Sequence, residues 1–278
     1  MRRMTPAFLA AGAAALIALT GCGSSASQSL GNVKLTAAEA LQHSASQAQS
    51  ITSYTADLVV DIIGSGREPG KVQGTVVVQQ KPKPAGDFNL SQVSFNGQTL
   101  PGGLRAILQD DTAYLKLDAL KPLTGSHKPW VKFDLNKVDT KSGLDVKKLL
   151  SEAQQVDLRS SAQLLAASKD AKAVGHETIG GVETTHYTGT FRVAEAAKQL
   201  TPELRQQVQD RLSGVKDMKF DAWIDADNLP RKIVMTGAAN KVKVTMTTQL
   251  TSYNKPVDIS APPADQIGEL STARAGHH

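Results

Sequence analysis

The chain has 278 residues, 40% of them hydrophobic, 21% charged and 4% aromatic, with a single cysteine. That length gives one large domain or two small ones with ample core material, and the composition excludes collagen-like, disulfide-stapled and wholly disordered chains. The 31 basic and 26 acidic side chains are dispersed, so the formal charge of +5 lacks the clustered basic footprint that nucleic acid requires. Cys22 alone can make neither an internal disulfide nor a thiolate metal site.

The chain opens Met1-Arg2-Arg3, continues with an apolar stretch from Ala7 to Leu19, and ends that stretch in Leu19-Thr20-Gly21-Cys22. A short cationic region ahead of about 13 apolar residues reads as a secretory signal, too short to span a bilayer comfortably. Its ending (aliphatic, small, Gly, Cys) resembles the lipobox of bacterial lipoproteins. The resemblance implies that residues 1–21 are a signal peptide removed before Cys22 and that Cys22 carries a diacylglyceryl anchor. Two acyl chains hold a protein stably at a membrane where one is marginal. The expected location is extracytoplasmic, on the outer face of the cell membrane. Residues 22–35, beginning Cys22-Gly23-Ser24-Ser25, are small and polar and read as a flexible tether.

Thr36-Ala37-Ala38-Glu39 is a capping box that opens a helix striped by Leu41, Ala45, Ala48 and Ile51. Alternation predicts strands over 53–62 and 72–80, then near 86–95, 104–109, 112–117 and 129–135, with Asp110-Asp111 in a tight hairpin. The period turns helical over Val146, Leu149, Leu150 and Ala153 and again over Leu158, Ala162 and Leu165, with Asp145 and Asp157 as caps. Strands resume at 171–179 and 182–192 around Gly180-Gly181, and Thr201-Pro202-Glu203 starts a further helix. A closing meander covers 217–226, 230–238 and 241–253, with turns at Asp227-Asn228 and Ala239-Asn240. Residues 261–278 read as a flexible tail. About eleven strands in sequential hairpins, without strand–helix–strand alternation, argue against a doubly wound nucleotide-binding fold. The expected class is α+β, a single large curled antiparallel sheet forming a half-barrel with helices packed on its concave face, over residues 36–260.

Within that order, Gly180-Gly181-Val182-Glu183-Thr184-Thr185-His186-Tyr187-Thr188-Gly189-Thr190 and Asp221-Ala222-Trp223-Ile224-Asp225-Ala226-Asp227-Asn228-Leu229-Pro230-Arg231 resemble the LppX/LprG/LprA/LprF lipoprotein family, whose fold is LolA-like. The resemblance implies an apolar cavity that binds multi-acylated lipid or glycolipid and carries it in the cell envelope. It implies neither catalysis nor a cofactor, and makes a membrane lipid exporter a partner to consider. The aliphatic positions expected to line the cavity are Leu58, Val60, Val76, Val78, Leu115, Leu117, Phe220, Ile224, Val234, Val244 and Met246, roofed by Leu149, Leu150, Leu164 and Leu165. The alternative is a non-catalytic interaction or sensory lipoprotein in which the same side chains form a closed core.

No Gly-x-Ser-x-Gly elbow, Walker loop or His-Glu-x-x-His sequence occurs. His176 and His186 flank a hairpin without a nearby acidic or cysteine partner, a poor zinc set. Asp225-x-Asp227-Asn228 lacks the glycine and distant glutamate of a calcium loop and reads as a turn. Trp130 and Trp223 are expected to anchor the core or a cavity rim. Lys81, Lys83, Lys121 and Lys128 sit in Pro-rich loops and read as solvated side chains.

Overall fold

The computed structural model describes residues 35–64, 68–95, 97–116, 128–135, 158–212 and 214–268. The signal stretch, Cys22 and the tether, the helix expected over 146–153, and Leu117, Leu149 and Leu150 lie outside these residues. Helix α1, Ala37–Ser50, starts at the expected capping box: the Thr36 hydroxyl accepts from the Glu39 amide, and the Glu39 carboxylate accepts from the Thr36 amide at 2.8 Å. That amide bond, with the one from the Thr36 hydroxyl, holds the Glu39 carboxyl below its usual range.

Seven strands follow: β1 Ser53–Gly64, β2 Gly70–Gln79, β3 Ala85–Phe95, β4 Gln98–Thr99, β5 Leu104–Gln109, β6 Thr112–Lys116 and β7 Trp130–Asp134. After α2, Leu158–Ala166, come β8 Lys172–Ile179, β9 Val182–Arg192, α3 Val193–Ala197 and α4 Pro202–Arg211. β10 Asp217–Asp225, β11 Pro230–Ala239 and β12 Val242–Tyr253 complete the meander, and Ile267–Gly268 adds β13. All belong to one open, curled sheet in the order β13-β7-β6-β5-β3-β2-β1-β12-β11-β10-β9-β8, with β4 beside β3. Every described pairing is antiparallel except that of β13 with β7. The half-barrel class read from the sequence is therefore the fold, with thirteen strands rather than eleven.

Turn chemistry sets the hairpins. Gly180 and Gly181 between β8 and β9 have φ of 58° and 82°, and Asn240 and Lys241 between β11 and β12 have φ of 50° and 64°. Two consecutive left-handed residues match the right-handed twist of the strands they join. The last turn is thus centred one residue later than Ala239-Asn240. Between β10 and β11 the buried Asp225 carboxylate builds the turn: one oxygen accepts from the Asp227 and Leu229 amides, each at 2.9 Å, and the other takes Arg231 Nε at 2.6 Å. Both carboxylate oxygens are committed to the chain's own donors, so Asp225-x-Asp227-Asn228 works as a hairpin turn.

Register separates the two faces of the sheet. α1 and α2 pack on each other and, with α3, cover the inner face of β1 and β9–β12, where Leu41, Leu158, Leu165, Phe220, Ala222, Ile233, Met235 and Leu250 form one buried cluster. The Asp170 carboxylate fastens the end of α2 to β9, accepting from the Thr190 hydroxyl and amide at 2.7 Å each and from the Ser168 hydroxyl at 2.9 Å. These bonds, the Thr190 hydroxyl first, hold the Asp170 carboxyl below its usual range.

Helix α3 is an addition to the predicted elements, because five residues carry less than two turns of periodicity. Two expectations change. Trp130 and Trp223 belong to neither core cluster: register puts Trp223 opposite Lys232 and His186 and Trp130 opposite Lys116, on the outer face. The segment read as a flexible tail contributes β13 at the sheet's edge, and the chain leading to it is held by a Gln109 Nε2 hydrogen bond to the Ile259 carbonyl.

Asp225→Ala is expected to destabilise the protein by about 3 kcal/mol, because it strands a largely buried Arg231 and two turn amides together. Urea unfolding measures it; a loss within error of zero would show that the turn forms without its carboxylate.

Candidate functional site

Pairing turns the alternation of single strands into one continuous apolar surface. Leu250, Ala56, Val76, Phe88, Ala106, Leu115 and Val131 are successive cross-strand partners, forming a row over β12, β1, β2, β3, β5, β6 and β7. Directly opposed residues share a face, so the row lies on one side of the sheet. A second row runs Met246, Val60, Val72 and Val93. The side chains are mostly aliphatic and carry no polar atom that would need a partner when dry.

This surface holds two buried clusters. The first lies under the helices. The second comprises Leu58, Val76, Phe88, Ala106, Leu108, Ala113, Leu115, Val131 and Phe133, and every described member comes from a strand. Val78 and Met246 pack against both and join them. Between α2 and the sheet, Tyr54, Leu158, Ser161, Ile233, Met235, Thr248 and Leu250 line an apolar cavity of about 10 Å³, room for roughly one water molecule. The helix-covered half, whose cluster is buried throughout, is packed as a core.

Of the expected lining residues, Leu58, Val76, Leu115, Leu164, Leu165, Phe220 and Ile224 are buried in these clusters. Val60, Val78 and Met246 are half-buried against them, and Val244 sits at the exposed end of the inner face. Val234 is a correction. It pairs with Asp221 and Thr247, and the odd-numbered neighbours Ile233 and Met235 take the inner side, so Val234 faces outward. Tyr54, Ala56, Phe88, Ala106, Leu108, Val131, Phe133, Ile233, Met235 and Leu250 also belong to the surface; strict alternation along β1 from Leu58 reaches Tyr54 and Ala56, and along β12 from Met246 it reaches Leu250, whereas the rest follow only from strand pairing.

The outer face is polar and its aromatic groups are covered by charge. His186 stacks on Trp223 with ring centres 4.2 Å apart, while its two ring nitrogens meet Glu177 at 3.1 Å and Asp221 at 2.9 Å. Lys232 Nζ lies 4.5 Å from the centre of the Trp223 ring, and Arg105, paired with Asp87 at 2.6 Å, lies over Trp130. His176 stands opposite Thr185 in the ladder and so points away from His186; its Nδ1 is 3.3 Å from the Thr185 hydroxyl. The two histidines do not converge. Among the described residues no group of three or more His, Cys, Asp or Glu is placed to hold a metal ion, and no helix is long and apolar enough to cross a membrane.

The profile of the LppX_LprAFG lipoproteins matches residues 37–259. An uncharacterized 31.2 kDa protein of Streptomyces griseus is 28% identical over 169 residues, covering 59% of this chain and 55% of that protein. The lipoarabinomannan carrier protein LprG of Mycolicibacterium hassiacum is 34% identical over 106 residues, 38% of this chain and 41% of that protein. The chain thus spans about half the length of the curated relatives it matches. Among solved structures, LprF of Mycobacterium bovis aligns over 81% of this chain and 96% of its own with 15% identity and a TM-score of 0.48. LppX of Mycobacterium tuberculosis aligns over 81% and 98% with 17% identity and a TM-score of 0.43. With a profile match running from the start of α1 to beyond β12, the chain belongs to the LppX_LprAFG lipoprotein family.

Proposed function

We propose that this lipoprotein binds an acylated lipid or glycolipid on the inner face of its sheet and carries or presents it in the cell envelope, held to the outer face of the cell membrane through Cys22. The observation that supports this reading is the apolar row from Leu250 to Val131, one continuous apolar surface across seven strands. Each methylene that leaves water for such a surface gains about 0.8 kcal/mol. A chain of aliphatic contacts offers no directional bonds, so it sorts ligands by length and number of acyl chains rather than by headgroup. The name of the LprG relative, a lipoarabinomannan carrier, points to the same ligand class.

In this reading the protein does no chemistry. Its residues exclude water from acyl chains and hold them, and a membrane lipid exporter is the kind of partner that would hand lipid on or receive it. The cavity of about 10 Å³ under α2 is far too small for an acyl chain. Ligand enters that half only if α1 and α2 part from β11 and β12. The same close packing favours a second reading, in which the core is closed and the lipoprotein presents its loops to a partner.

Lipid extraction separates the two. Protein bearing Cys22→Ser, purified from its own cells and extracted with solvent, is expected to release stoichiometric acyl lipid detectable by mass spectrometry. A lipid-free preparation that also takes up no added glycolipid would establish the closed core instead. The anchor has its own test: the unaltered chain should incorporate labelled fatty acid and sediment with membranes, and Cys22→Ser should lose the label. Retained labelling in Cys22→Ser would remove Cys22 as the attachment point.

A further inference from the structure

At the end of the sheet where β1 turns into β2 and β11 into β12, the inner face runs out into solvent. Its last rung crosses Met218, Gly237, Val244, Ile62 and Gly70 as successive partners, and the Phe95 ring lies against Gly70, where an added Cβ would meet it at 3.3 Å. Exposure rises outward along this track. Leu58 is 6% exposed, Val244 37% and Phe95 46%; at the same strand end but on the outer face, opposite Lys243, Ile63 is 57% exposed. Scattered exposed apolar side chains need no explanation. Here three of them gather at one end of the sheet: Val244 and Phe95 continue through Ile62 and Gly70 into the inner face, and Ile63 caps the same end from the outer face.

The charge around them is lopsided. Lys71, Lys241 and Lys243 flank the three apolar side chains, and Arg192, Lys216 and Lys219 follow at the same end of β9 and β10. Asp61, Glu68 and Asp217 accompany them, with Asp217 4.0 Å from Arg192, and Glu195 next to Arg192 is paired with Lys198. Among the described residues at this end the basic side chains outnumber the acidic ones. The proline-rich turn bearing Lys81 and Lys83 lies at the opposite end of β2, and Lys83 is paired with Asp110.

An apolar tip ringed by lysines has the chemistry of an interfacial anchor: aliphatic and aromatic groups enter the acyl boundary while lysine stems follow and leave their ammonium groups at the phosphates. We propose that this end of the sheet docks on an anionic bilayer, with Ile63, Phe95 and Val244 entering it and Lys71, Lys241 and Lys243 meeting lipid phosphates. Docking there would set the open end of the inner apolar track against the membrane, so that acyl chains could pass from bilayer to protein without crossing water. The docking goes beyond the carrier reading and does not depend on it, because exposure and charge alone carry it.

The test uses the full chain with Cys22→Ser and one new cysteine bearing an environment-sensitive fluorophore, at Ile63→Cys, at Phe95→Cys, or at Thr178→Cys on the far end of β8. All three sites are exposed. The N-terminal segment is present in every variant, so its own membrane affinity is constant. Adding phosphatidylcholine vesicles with about 30% phosphatidylglycerol should roughly double emission and shift it to the blue at positions 63 and 95, with no change at 178. Adding Lys71→Glu, Lys241→Glu and Lys243→Glu together should abolish the change, as should vesicles of phosphatidylcholine alone. An unchanged signal at 63 and 95, or an equal change at all three sites, would overturn the proposal. Neither outcome bears on whether lipid can be extracted from the protein, so failure here is distinguishable from failure of the carrier reading.

Discussion

The antiparallel pairing of β1 with β12 joins segments about two hundred residues apart and makes one sheet of two meanders. Without it, β1–β7 and β8–β12 would each be a ribbon with an open central edge. Side chains lock the junction where it begins. Asn254 accepts from the Thr52 amide at 2.8 Å, its own amide donates to the Ser53 carbonyl at 2.9 Å, and the Ser53 hydroxyl donates to the Lys255 carbonyl at 2.6 Å. A slip of one residue here would turn Asp57 and Asp61 inward and Leu58 and Val60 outward. The register of this pair therefore decides whether the protein has a dry face at all. The pairing is also non-local, and such contacts form late and slowly because the loop entropy comes first.

Given that register, the two faces divide the work. The outer face spends its charged residues on covering aromatic rings and building turns, as in the His186–Trp223 stack between Glu177 and Asp221. The inner face keeps almost nothing but aliphatic groups. Its helix-covered half is packed like any core, and Phe191 and Phe220 fill it with ring centres 6.3 Å apart. In the β2–β7 half every described member of the buried cluster comes from a strand, and toward the β1–β2 turn the inner face ends in exposed Val244 and Phe95.

Much of the fold was legible in the sequence because long strands announce themselves. Ser53 to Ile62 alternates apart from Val59, β5 has the bounds the pattern predicted, and the Thr36 box fixed the start of α1. Short elements carried no such signal: two residues of β4 or β13 cannot alternate. The partnership of β1 with β12 was not legible either, since alternation gives each strand's faces but not its neighbour. That gap explains the errors at the site. Val234 follows a plausible apolar pattern, and only pairing with Asp221 shows that it faces outward. Both tryptophans were expected at the core or a cavity rim, and contacts with Arg105, His186 and Lys232 account for their burial on a polar face.

Photo-crosslinking with a phospholipid or glycolipid that carries a diazirine near the end of its acyl chain addresses the inner face directly. After loading, irradiation and digestion, peptide mass spectrometry should place the crosslinks on inner-face positions, above all Leu58, Val60, Val76 and Met246, and leave peptides modified only on the outer face absent. Crosslinks concentrated at Trp223, Val234 or Trp130, or none above an unloaded control, would contradict lipid binding on the inner face of the sheet.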